Sequence, residues 1–414
     1  MTPPETEAAS SRRLRRSALA FIVLMGVVSM FSDMTHEGGK SILGAYLTLT
    51  GASAAAVGFI SGFGELAGYS LRYLTGRLAD RTKWYWTLTI LGYAIDLFAV
   101  PALALVPENG WLWAAALLIV ERGGKALKKP AKDTLLSFVA SQNGVGKSFA
   151  LQEFLDQLGA FLGPVILFAV MARSSAVSLA AYRRCFALLI FPALVTLALL
   201  FVARYLFPTP ENFEPESRAE NFSRFGWGRR FTLYIAGISL FSLGFMDFPL
   251  ITMHAAKTNL LTPGELPLLY AGAMAVDAFA ALFFGWLYDR WDTKALVIST
   301  LLTAPFGFFV FLAPGQWALW VGASLWGIGM GAQESVLKAA VARLVPKARR
   351  SSGYGTFQTA FGVCLFLGSW FMGWLYERSL WEMVLFSVAA QVLAAILFLL
   401  SGRTSTGRLS AEEQ

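Results

Sequence analysis

Twelve apolar stretches, each long enough to cross the roughly 30 Å hydrocarbon core of a bilayer as a helix, constrain this chain more than any other feature. They lie near residues 17–47, 54–75, 85–106, 111–135, 149–171, 180–206, 230–256, 265–287, 294–313, 317–343, 352–376 and 380–401. In hydrocarbon each backbone N–H and C=O must be paired within its own segment, so every run is expected to be a helix. The reading is an all-α polytopic membrane protein of twelve transmembrane helices, and an even number puts both termini on one side. Only 14% of the 414 residues are charged, against about 25% in a soluble domain.

The net charge of +8 does not point to nucleic acid, because Lys and Arg occur in short runs between apolar stretches and form no continuous basic face. Cys185 and Cys364 both lie inside apolar segments, far apart, which excludes a disulfide framework and a CxxC metal site. The arginines at 12, 13, 15 and 16 precede an apolar run that no small-x-small cleavage site closes, so the run is read as an uncleaved first span.

Cations fix the orientation. The N-terminal arginines, Arg77, Arg81 and Lys83, Lys128, Lys129 and Lys132, Arg290 and Lys294, and Lys347, Arg349 and Arg350 fall on alternate connections, which are therefore expected to be cytoplasmic. The opposite connections at 50–54, 107–110 and 314–316 carry no Lys or Arg; Arg173, Arg183, Arg184 and Arg378 break the pattern without outweighing it. The expected location is a plasma membrane, a bacterial inner membrane, with both termini in the cytoplasm.

The polar stretch Pro208 to Arg230, rich in Pro, Glu and Arg, falls at the midpoint and divides six spans from six. The expected organisation is a first six-helix half at 1–207, a linker at 208–229 and a second half at 230–414. An internal repeat supports the division: the run Gly76 to Arg81 (GRLADR) recurs as Gly285 to Arg290 (GWLYDR), each after the second span of its half.

These residues resemble the major facilitator superfamily, whose loop between the second and third spans reads roughly G-x-L-x-D-R with basic residues following. Gly76, Leu78, Asp80, Arg81 and Lys83 match it, and Gly285, Leu287, Asp289, Arg290 and Lys294 match its second copy. The resemblance implies two pseudo-symmetric halves, a monomer, and a gate in which Asp80 and Asp289 sit at helix N-termini of the opposite half, near 351–353 and 147–149. The alternative is a loop that only sets a turn and the topology. Gly159, Gly163 and Pro164 resemble part of the motif of the family's antiporter branch, although Ala150 and Leu167 stand where it would place further glycines; small-residue spacing also serves close helix packing. Glu121, Arg122 and Lys125 lie where the family often has a fourth-span arginine near the proton path.

Ionisable side chains cost free energy inside a bilayer, so they are expected to face the bundle interior and act there. Asp33, His36, Glu37 and Lys40 recur at spacings of three and four, on one face of the first span. Asp33, about sixteen residues into the span, is the leading candidate for a proton-carrying or cation-binding carboxylate; a pairing of Lys40 with Asp33 or Glu37 is the alternative. The seventh span carries Asp247, His254 and Lys257, so both histidines of the chain fall on corresponding spans, which raises a shared cavity or a transition-metal ligand set. Lys40 and Lys257 oppose the metal, and no metal ligand set is assigned. Glu65, Asp96, Glu121, Arg122, Lys125, Asp277 and Glu334 complete the interior candidates, Glu334 pairing with Lys338 four residues on. The tryptophans at 84, 86, 111, 113, 317 and 320 cluster at span ends as an interfacial belt.

No HExxH, GxxxxGK[ST] or GxSxG motif is present, and the expectation is a transporter without cofactor rather than an enzyme. Its partners are protons, a small-molecule substrate and the lipid bilayer. The first reading is proton-coupled efflux of an organic or cationic compound. The alternatives are uptake of a small polar or anionic solute by proton symport with Arg122 or Lys125 as counter-ion, transport of a transition metal or its chelate, and a membrane receptor or lipid-modifying protein on the same fold.

Overall fold

A computed structural model describes residues 4–140, 142, 145–172, 178–213, 229–262, 264–332 and 350–412. Residues 214–228, which include most of the expected linker, and 333–349, which include Glu334 and Lys338, lie outside the described residues.

The described chain is helical throughout. The first half comprises α1 (Pro4–Leu49), α2 (Ala54–Thr82), α3 (Tyr85–Ala102), α4 (Trp111–Ala140), α5 (Val145–Met171), α6 (Leu179–Leu188) and α7 (Ile190–Leu206). The second comprises α8 (Arg229–Leu243), α9 (Phe248–Lys257), α10 (Glu265–Trp291), α11 (Thr293–Thr303), α12 (Phe306–Phe311), α13 (Gln316–Ala332), α14 (Arg350–Arg378) and α15 (Leu380–Glu412). Joined end to end, α6 with α7, α8 with α9 and α11 with α12 each make one broken crossing, and the total is twelve. Among the described residues nine segments are long and apolar enough to span a membrane by themselves. The other three crossings are α2 and α4, whose charged side chains turn inward, and the 17 described residues of α13.

The breaks have local causes. Pro305 separates α11 from α12, and Pro192 follows the α6 to α7 junction, each lacking the N–H that would continue the ladder. The seventh crossing opens between Leu243 and Phe248: Asp247 caps α9, its Oδ1 accepting from the Phe248 N–H at 2.9 Å, with Pro249 at the second helical position. The carbonyls freed there are satisfied by neighbours, as a buried site requires. Ser387 Oγ donates to the Gly244 carbonyl at 2.6 Å, and Trp326 Nε1 to the Met246 carbonyl at 2.9 Å.

Across the seam between halves, α1 meets α9, α2 meets α14, and α5 meets α10. Among the described residues the seam is tightest on the side away from the termini. A Cβ on Gly44 would stand 1.8 Å from the Pro249 carbonyl oxygen, and one on Gly58 2.2 Å from that of Ser369. At the α2 entrance the Ala55 N–H donates to Glu377 Oε1 at 3.3 Å. Within the first half, Gly159 and Gly163 bring α5 against the carbonyls of Met30 and Met34 on α1, where a Cβ would lie at 2.1 and 2.3 Å. Those two glycines of the antiporter-like motif therefore act as a packing surface, with Pro164 inside the same helix.

Candidate functional site

Between the halves, on the termini side of the sealed layer, lies a cavity of about 380 Å³. Its two walls differ. The first half contributes Asp33, Glu37 and Lys40 from α1, Glu65 and Arg72 from α2, Arg122, Lys125, Lys128, Lys129 and Lys132 from α4, and Asp156 and Gln157 from α5. The second half contributes two charges, Asp247 and Asp277, set among Phe245, Tyr270, Trp326, Phe357 and Phe361.

The charged wall is organised as a chain of ion pairs. Arg122 holds Glu65 Oε1 at 2.9 Å and Glu121 Oε2 at 3.3 Å, and Lys125 holds Glu121 Oε1 at 2.8 Å. Behind them His36 stands between two carboxylates, its Nδ1 3.1 Å from Glu121 and its Nε2 3.2 Å from Asp96. Both contacts have ion-pair length but fall outside hydrogen-bond alignment. Lys128 closes the chain on Asp96 at 2.5 Å, with its ammonium 3.9 Å from the centre of the Tyr93 ring. Asp96 and His36 are buried behind the cavity surface rather than on it.

A second group joins the halves. Lys40 Nζ lies 3.0 Å from Asp247 Oδ1, and the Tyr270 hydroxyl donates to Glu37. Gln157 Nε2 donates to Asp277 Oδ2 at 3.4 Å, tying α5 to α10. Asp33 has no ion pair or hydrogen bond to a described residue and lines the open cavity.

Several expectations from the sequence are corrected by this geometry. Asp33, Glu37 and Lys40 share the cavity face of α1, but His36 turns the other way, between α3 and α4. Lys40 pairs with Asp247 of the other half, not with Asp33. The two histidines do not meet: His254 Nδ1 lies 3.0 Å from the Tyr376 hydroxyl and packs on Phe311, off the cavity. The two histidines therefore do not form a shared ligand set, and among the described residues no group of His, Cys, Asp and Glu is arranged to hold a metal ion.

Lys128, Lys129 and Lys132, expected on a connection, belong to α4, with Lys128 and Lys132 buried. Their spacing with Lys125, at i, i+3, i+4 and i+7, was the available signal for one helix face. Arg72, Tyr270, Gln157 and Trp326 also line the cavity without having been singled out. The repeated runs, expected as loops, are the last turns of α2 and α10: Gly76 approaches Pro130 of α4 and Arg290 lies over the Trp286 ring at 4.2 Å, while Arg81 is on the exposed rim. The side chains of Asp80 and Asp289, like Glu334, lie outside the described residues.

A helical membrane protein with a charged cavity between two bundles, sealed on one side, has an architecture suited to moving a solute. The chain belongs to the major facilitator superfamily: that family's model matches residues 233–414, and the chain is 37% identical over 386 residues to an uncharacterized protein of Mycobacterium tuberculosis, covering 92% of each. It is also 26% identical over 350 residues, 80% of this chain and 79% of the other, to an uncharacterized MFS-type transporter of the same organism. Among solved structures, a bacterial homolog of the human lysosomal transporter Spinster, inward-facing and unoccupied, superposes with a TM-score of 0.74 at 13% identity over 94% of this chain and 97% of that one. The protein is accordingly a secondary transporter of a solute, built from many apolar helices in a membrane.

Proposed function

We propose that the protein couples movement of an organic solute to protons by alternating access, and that Asp33 is the proton carrier. The observation that supports this is that Asp33 is left without an ion pair or hydrogen bond among the described residues. Glu65 and Asp247 are ion-paired, Glu37 accepts from Tyr270, and Asp156 and Asp277 accept from the amides of Gln152 and Gln157. Asp33 alone of the six lining carboxylates lacks such a contact among the described residues. Lys128 and Lys132 act on Asp33 electrostatically but neither is ion-paired to it, so a proton can bind there without breaking any pair, and a neutral carboxyl is the form favoured by a membrane interior.

The sealed side is the outer face and the cavity opens toward the cytoplasm, as the Lys and Arg bias of the connections supports. The Lys40–Asp247 and Tyr270–Glu37 contacts hold the outer face shut. The repeated runs at 76–81 and 285–290, which form the ends of α2 and α10 rather than loops, are the matching cytoplasmic gate.

Cargo charge and coupling direction are linked in such a cavity. A cation competes with the proton for an ionised Asp33 and gives exchange; an anion is favoured when Asp33 is neutral, and the two move together. Both readings make the same test decisive. In proteoliposomes, Asp33→Asn should abolish accumulation driven by a pH gradient while preserving solute exchange across the membrane without a gradient. Gradient-driven accumulation at the unaltered level in Asp33→Asn removes Asp33 from the mechanism.

A further inference from the structure

The charges on the cavity wall are not equivalent. Among the described residues seven cations line it and four are neutralised: Lys40 by Asp247, Arg122 by Glu65 and Glu121, Lys125 by Glu121, and Lys128 by Asp96. Lys132 donates to Ser29 Oγ at 2.7 Å and has Asp33 and Asp156 as neighbours. Arg72 and Lys129 remain. Neither has a carboxylate within ion-pair distance among the described residues; the Arg72 guanidinium lies over the Tyr69 ring, 4.9 Å from its centroid, and its Nε is buried without a hydrogen-bond partner there. The two come from adjoining helices, α2 and α4, which are pinned together where the Thr75 hydroxyl donates to the Ala126 carbonyl at 2.7 Å.

A buried guanidinium nitrogen left without an acceptor costs stability unless something supplies one, and the guanidinium fork is suited to carboxylate, sulfonate or phosphate oxygens. The second half supplies the apolar part of the same cavity. Phe245 stacks on Trp326 with ring centroids 5.8 Å apart, and Phe357 and Phe361 lie 6.0 Å apart. One end of an occupant thus meets unsatisfied positive charge and the other meets aromatic surface.

We propose that the cavity takes an amphipathic organic anion, its acidic group held between Arg72 and Lys129 and its apolar body laid against Phe245, Trp326, Phe357 and Phe361. The inference rests on the reading of this cavity as the solute site. It also bears on the coupling: with Asp33 protonated, the remaining charged lining groups without an ion pair or hydrogen bond among the described residues are cationic, so anion and proton are carried in the same direction.

The test is binding to the full-length purified protein in a neutral detergent, by calorimetry at constant pH, with three probes: naphthalene-2-sulfonate, naphthalen-2-ylmethylammonium and dihexanoylphosphatidylglycerol. The anions should bind in preference to the ammonium. Arg72→Gln and Lys129→Gln should each weaken the sulfonate by roughly tenfold, the size expected for one charge-assisted hydrogen bond. Lys129 is exposed and its replacement leaves the ion-pair chain intact, so that variant is not compromised by folding. Tighter binding of the lipid would assign a membrane lipid, and tighter binding of the sulfonate a water-soluble organic acid. Equal or tighter binding of the ammonium, or unchanged sulfonate affinity in both variants, overturns the proposal. Asp33→Asn separates the two claims, since it should bind the sulfonate at least as well as the unaltered protein even where coupling is lost; loss of sulfonate binding there counts against a protonated Asp33 beside the anion.

Discussion

Removing Asp247 should open the sealed face. Its carboxylate is 3.0 Å from Lys40 Nζ, with side-chain exposures of 9% and 16%. At the effective dielectric of about 20 that suits such sites, Coulomb attraction at this distance is about 5 kcal/mol, part of which offsets desolvation of the two ions. Deleting one partner of a buried pair costs roughly 3–5 kcal/mol, because the survivor is left uncompensated. That cost falls only on the sealed form, since in a form open on this side water reaches the surviving charge. At about 3 kcal/mol the balance between forms moves more than about 100-fold toward the open outer face. Spin labels at Glu108→Cys and Arg378→Cys, on a Cys185→Ser, Cys364→Ser background, report the separation of the two halves on this side by pulsed dipolar spectroscopy. Asp247→Asn and Lys40→Met should each move most of the distribution to longer distances, and the double variant, which leaves no orphan charge, should return toward the original. Unchanged distributions in both single variants would refute the assignment of this pair as a latch.

Three further outcomes follow from packing and pairing. Gly44→Val places a side chain where the Pro249 carbonyl stands 1.8 Å away; the protein should fold, show the same outward shift in label distances, and lose transport, whereas Gly159→Val, which strikes Met30 inside one half, should reduce the yield of folded protein on size-exclusion chromatography. Arg122→Gln strips Glu65 of its partner and should destabilise the protein by about 3 kcal/mol in thermal unfolding, with the Glu65→Gln, Arg122→Gln pair milder than either single change. His254→Phe removes one hydrogen bond to Tyr376 far from the cavity and should cost about 1 kcal/mol of stability while leaving the transport KM within about twofold.

The fold was legible because hydrocarbon admits few solutions: long apolar runs must be helices, and alternating Lys and Arg order their ends. α4 shows where that reading stops. Lys128, Lys129 and Lys132 satisfy the rule for a basic connection as well as they satisfy a helical stripe, and only the packing of α4 against α1, α2 and α3 shows the stripe facing a cavity. The broken seventh crossing carried its own signal, Gly244 followed by Asp247 and Pro249, a cap and a helix-start proline inside an apolar run. Asp247 was singled out as an interior charge, but its pairing with Lys40 depends on the two halves meeting. Which neighbours a carboxylate finds is settled by tertiary contacts that spacing along one helix does not contain; Asp33 and His36, one turn apart, end in different environments for this reason.

The central claim is that a proton and an organic solute share one cavity. Its most direct test is a pH-sensitive dye trapped in proteoliposomes with equal pH on both sides, to which naphthalene-2-sulfonate is added outside while its uptake is measured in parallel. The account predicts acidification of the lumen in step with anion uptake, absent with Asp33→Asn. Uptake of the anion with a dye trace superimposable on that of protein-free liposomes, or alkalinisation of the lumen, would contradict it.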